Sequence, residues 1–126
     1  MRCIAEYVRR ADDMPLLRLY IHGAPHRRQH QAVLEDYRAE LLAAAKAAKI
    51  PTPIDHRIAL WVLFVDPCSP DYDNLLTALM QAMDGKAHRK PTVLRSDGLI
   101  GLVDRLGVFY PNGPTKADRQ QRSEVA

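Results

Sequence analysis

Asp71 and Asp73, two carboxylates two residues apart with Asn74 directly behind them, are the residues whose types and spacing most readily suggest chemistry. They fall in the stretch Pro70-Asp71-Tyr72-Asp73-Asn74-Leu75-Leu76, between a strongly apolar run that ends at Val65 and a helical pattern that starts at Leu75. On extended backbone, residues i and i+2 point to the same side, so both carboxylates could reach one cation. The same residue types are also preferred helix N-caps, and Asp66-Pro67-Cys68-Ser69-Pro70 before them is ordinary loop chemistry. Spacing alone leaves a metal pair and a helix cap both open, because two carboxylates need a third ligand before they read as a metal centre. Asn74 fits either reading, as a cap of the following helix or as a group that orients a neighbouring carboxylate.

Two basic clusters could meet an anionic substrate. His26-Arg27-Arg28-Gln29-His30 and Lys86-Ala87-His88-Arg89-Lys90 concentrate cations within a few residues. Arg27, Arg28, Lys86, Arg89 and Lys90 are therefore candidate phosphate contacts, with a solvated loop as the alternative for each cluster. Across the 126 residues, Lys and Arg exceed Asp and Glu by 18 − 15 = 3, an excess that matters only where it is clustered. Cys3 and Cys68 lie far apart and neither belongs to a Cys-x-x-Cys or Cys/His spacing, so neither a zinc site nor a disulfide framework is expected. A cytoplasmic, reducing compartment is the simplest expectation. The N-terminus carries charges where a signal peptide needs an apolar core, and no run approaches the ~20 apolar residues of a membrane span. No Gly-rich phosphate loop, nucleophile elbow or dinucleotide fingerprint is present.

The elements that must hold these residues can be read in chain order. Residues 1–14 carry Ile4, Tyr7 and Val8 at helical spacing and then a run of charges, which leaves their structure open. Residues 16–21 read as a strand closed by His22-Gly23-Ala24-Pro25, and Val33, Leu34, Tyr37, Leu41, Leu42, Ala45 and Ala48 predict a first helix from Gln31. Pro51 and Pro53 stop it. Residues 57–65 predict a central strand covered on both faces, because their apolarity is continuous. Leu75, Leu76, Leu79, Met80 and Met83 predict a second helix that ends at Asp84-Gly85. Residues 99–103 predict a further strand, with another around 107–110, and 111–126 has the composition of a flexible tail. The order implies an α/β single domain, a small mixed β-sheet with two main helices packed on it and a core at about 16–110.

Read together, Asp71-Tyr72-Asp73-Asn74-Leu75-Leu76, the helix through Gly85 and an acid before the next strand resemble the RusA family of Holliday-junction resolvases. The resemblance spans about residues 16–110, through the first strand and its basic turn, the helix with Tyr37 and the apolar central strand. It implies a Mg²⁺-dependent endodeoxyribonuclease, with Mn²⁺ as substitute, that works as a homodimer on branched DNA, commonly phage- or prophage-encoded. It also implies a third acid. Asp97, followed by Gly98-Leu99-Ile100, reproduces the family spacing, whereas Asp104 would need a longer insertion after the helix; the implied metal ligands are thus Asp71, Asp73 and Asp97. The family's lysine three residues after the Asn is Thr77 here, and an acid often found four residues later is Gln81. Lys86, Arg89 and Lys90 are the candidates for the missing cation. Physically, a divalent ion held by two or three carboxylates can neutralise a phosphodiester, activate water and stabilise the leaving oxygen.

Overall fold

Eight successive apolar residues, Ile58–Val65, form the central strand of a four-stranded sheet, and the rest of the chain is arranged around it. The computed structural model describes residues 1–10, 14–25, 31–68 and 71–112. In chain order these form β1 (Arg2–Val8), β2 (Leu16–His22), α1 (Gln31–Ala47), β3 (Ile58–Val65), α2 (Tyr72–Met83), a single 3₁₀ turn (Asp97–Leu99) and β4 (Ile100–Phe109). The sheet order is β1-β2-β3-β4, with β1 antiparallel to β2 and the other three strands parallel. This is the mixed sheet with two helices that the sequence predicts.

Three elements differ from the sequence reading, each for a physical reason. Residues 1–14 begin with a strand: Arg2 to Val8 pair with His22 to Leu16, and Ala5 is buried while Ile4 on the other face is 56% exposed. Period-two burial thus decides β1, although its apolar residues also fit a helix. The second difference is that β3 is covered on one face only. Ile58, Leu60, Val62 and Phe64 are fully buried, whereas Trp61, Leu63 and Val65 are half-buried. The parallel strands advance in one direction across the sheet, so successive right-handed crossovers lay α1 and α2 on the same side. Continuous apolarity cannot distinguish that arrangement from a sheet covered twice. Third, the two short strands expected after residue 99 are one strand, β4, paired along all of β3 with two register shifts.

The core lies between the helices and the buried face of β2 and β3. Tyr37, Leu41 and Ala45 of α1 and Leu75, Ala78, Leu79, Ala82 and Met83 of α2 meet Leu17, Leu19, Ile21, Leu60, Val62 and Phe64. Each fully buried large apolar side chain contributes about 1.5–3 kcal/mol relative to exposure. The helices are therefore held by packing, and α2 runs back from the carboxyl end of β3 towards the start of β4. At its lower end, Gly85 passes so close to the segment that precedes the 3₁₀ turn that a Cβ there would lie 2.6 Å from the Arg95 carbonyl and 2.8 Å from that of Leu94. Among the described residues no helix is long and apolar enough to cross a membrane.

Candidate metal and phosphate site

Helix α2 begins because Asp71 caps it. The Asp71 backbone is extended (φ −76°, ψ 107°), and its Oδ1 accepts the N–H of Asp73 at 3.1 Å and of Asn74 at 3.5 Å. Asn74 turns back and donates its side-chain amide to Asp71 Oδ2 at 2.8 Å. Asn74 is therefore not the cap, which is Asp71; it lies in the first turn of the helix and its side chain orients the capping carboxylate. The cap also alters the pair itself. Tyr72 is already helical, so Asp71 and Asp73 do not lie on one face of an extended segment. Asp73 instead projects from the first turn, exposed, with no side-chain hydrogen bond to any described residue.

Asp97 does not join them. It heads the 3₁₀ turn before β4, and its N–H donates to Asp84 Oδ1 at 3.3 Å, beyond the C-terminal end of α2. Twelve helical residues separate the two ends, roughly 18 Å at 1.5 Å per residue. A side chain cannot close that gap, so the three-carboxylate centre inferred from Asp71, Asp73 and Asp97 is not assembled in this structure. The alternative acid, Asp104, lies within β4 and faces Arg10 at 3.5 Å. Among the described residues no group of three His, Cys, Asp or Glu side chains is placed to hold a metal ion.

The basic clusters divide in the same way. Arg27 and Arg28 lie outside the described residues, as does residues 113–126 of the predicted tail. Lys86, Arg89 and Lys90 are exposed in the loop after α2. His88 fixes this loop: its ring nitrogens stand 2.9 Å from the Gln81 carbonyl and 3.3 Å from Glu35 Oε1, with the side chain 1% exposed. Gln81 is ten residues from Asp71, about 15 Å along the helix. Lys86, Arg89 and Lys90 therefore do not stand beside Asp71, where the resemblance would place a lysine. Thr77, where that lysine would stand, is exposed on α2.

Two groups that the sequence reading passed over organise this loop. Asp84 Oδ1 accepts the N–H of Lys86 at 3.0 Å as well as that of Asp97. Glu35 of α1 accepts from Arg38 Nε at 3.2 Å and stands 3.5 Å from Lys90 Nζ. Burial raises the affinity of Glu35 for a proton, but hydrogen bonds from His88 and Arg38 and the charge of Lys90 outweigh it and hold the carboxyl below its usual range. Arg38 completes the clasp by donating to the Pro91 carbonyl at 2.6 Å. Glu35 and His88 are 53 residues apart, so no local sequence pattern could reveal the pair.

At the start of α2 the two carboxylates attract a hard cation, while the Asp73 and Asn74 N–H groups, which an uncapped helix N-terminus would offer to an anion, are already taken by Asp71 Oδ1. Magnesium suits such a place because it binds through one or two carboxylates, several waters and a substrate phosphate. Asp73 supplies an exposed carboxylate and Asp71 one whose orientation is fixed by Asn74, so the donor set fits a two-carboxylate site. No protein-family model, curated protein or solved structure matches the chain.

Proposed function

We propose that the chain is a Mg²⁺-dependent endodeoxyribonuclease of the resolvase type, acting as a homodimer on four-way and other branched DNA. The observation that carries this reading is the exposed Asp73 carboxylate beside Asp71, itself held by Asn74, at the N-terminus of a helix packed on the sheet. Asp71 and Asp73 would hold the ion, which when bound neutralises the phosphodiester and lowers the pKa of attacking water. Asp73, with no competing hydrogen bond among the described residues, is the ligand free to adjust its position. Asn74 keeps Asp71 in one rotamer, so that the cap geometry and the ligand geometry are the same geometry. Lys86, Arg89 and Lys90 add affinity for neighbouring phosphates, which makes binding fall with salt.

A second reading, a branched-DNA-binding protein without cleavage, is favoured by two observations: Thr77 where a cation would help, and Asp97 at the far end of α2. A synthetic four-way junction separates the two. With Mg²⁺ or Mn²⁺ the wild-type chain makes paired nicks, and Asp73→Asn lowers the rate at least ~100-fold while junction binding remains. Binding with no nicks under either ion establishes the second reading, and full activity of Asp73→Asn removes the assigned site.

A further inference from the structure

The face of the sheet opposite the helices interleaves aromatic rings with arginines. Arg2 of β1, Arg18 and Tyr20 of β2, Trp61 of β3, and Arg105 and Phe109 of β4 share this side and occupy three successive rows across the strands. Rows lie two residues, about 6.6 Å, apart along a strand, close to the span of one extended nucleotide. Trp61, half-buried, pairs across the ladders with Arg18 on one side and Arg105 on the other. The Tyr20 ring centre lies 5.2 Å from that of Trp61 at a tilt of 59°, and the Arg18 guanidinium sits 5.1 Å from the Trp61 ring centre. Leu63 leans towards β4, where a Cβ on Gly107 would lie 3.1 Å from its Cδ1. Beside Tyr20 is a hollow of about 190 Å³, bounded by Arg2, Ile4, His22 and Val65. Phe109, 54% exposed, closes the row that begins at Arg2.

Charge and area together choose the occupant. Each acid around this face already meets a basic side chain: Glu6 stands 3.5 Å from Arg18, Asp66 3.6 Å from His22 and Asp104 3.5 Å from Arg10. Arg2 and Arg105 are exposed and form no ion pair with any described residue, so the surplus charge is positive. Four strands ~4.8 Å apart and five residues of ~3.3 Å give a footprint of about 250–300 Å², a third of the ~800 Å² each partner brings to a standard protein interface. An area of that size suits a few unpaired bases. We propose that this face binds single-stranded nucleic acid, with bases stacked on Tyr20, Trp61 and Phe109 and backbone phosphates held by Arg2 and Arg105. Aromatic rings accept any base through its π-face, and the guanidinium plane of Arg18 against Trp61 is a further stacking surface. The hollow beside Tyr20 takes one base, with Arg2 at its rim for the adjoining phosphate. Paired bases are already stacked on one another, so a duplex cannot use these rings. The site lies on the opposite side of the sheet from α2 and needs neither Asp71, Asp73 nor a metal ion, so it stands apart from the nuclease reading.

Trp61 is the one tryptophan of the chain, and its fluorescence therefore reports on this face directly. In EDTA at low salt, oligo(dT) or oligo(U) quenches Trp61, duplex DNA of equal length does not, and binding weakens as salt rises. Stronger binding of one oligonucleotide assigns the face to DNA or to RNA. By anisotropy of a labelled oligonucleotide, Arg105→Glu and Phe109→Ala, both at exposed positions, each weaken binding at least fivefold with unchanged circular dichroism. Absence of binding to either oligonucleotide overturns the proposal, as does binding that survives the Arg105→Glu/Phe109→Ala double variant. Shielding of Trp61 from acrylamide that grows with protein concentration, without oligonucleotide binding, gives the face to a second copy and equally overturns it.

Discussion

Glu35 shows how one side chain can set the position of a loop, the one after α2. It receives Arg38 from its own helix, and His88 and Lys90 from the loop after α2. Because these partners hold its carboxyl below the usual range, Glu35 contributes stability that is present above its unfolded-chain value of 4.5 and is lost as pH falls through the folded value. Urea unfolding of wild type and Glu35→Gln therefore differs most near neutrality, and the two midpoints converge as pH falls through the lowered folded value of Glu35. A difference that stays constant with pH would mean that the carboxylate charge has no part in fastening the loop. The sequence gives no sign of this cluster, since its members stand on separate elements and only the crossing of α1 with the loop brings them together.

At the scale of elements, helix ends and strand faces separate what was legible from what was not. The start of α2 was legible as a cap or a ligand pair, because Asp and Asn serve both; only backbone geometry decides that Asp71 caps, which takes Asp73 off the face it was expected to share. The end of α1 was legible through Pro51 and Pro53, but not its manner. Ile50 N–H donates to Ala45 O and Lys49 N–H to Lys46 O, a Schellman closure with Lys49 in the left-handed region at φ 58°. Glycine has no Cβ penalty there, so Lys49→Gly raises unfolding free energy by about 1 kcal/mol in chemical denaturation. A loss of that size would mean that the lysine side chain contributes contacts outweighing the strain. The apolar run of β3 marked the central strand correctly, yet its covering on a single face follows from the strand order, which a local pattern does not carry.

For the whole molecule, the direction of the parallel strands sets both ends of the functional account. Both crossover helices lie on one side, so one sheet face is packed by them and the other carries no helix; α2 runs back along the sheet, so Asp71 and Asp73 at its start are far from Asp97 beyond its end. The family resemblance implied a triad of acids, and the length of the helix between them forbids it in this arrangement. The most direct test is Mn²⁺ binding followed by electron paramagnetic resonance on wild type, Asp73→Asn and Asp97→Asn. A site at the head of α2 predicts that Asp73→Asn weakens Mn²⁺ binding at least tenfold and that Asp97→Asn leaves it within about twofold of wild type. Equal loss in both variants would contradict the account, because it would require the three aspartates to share one ion.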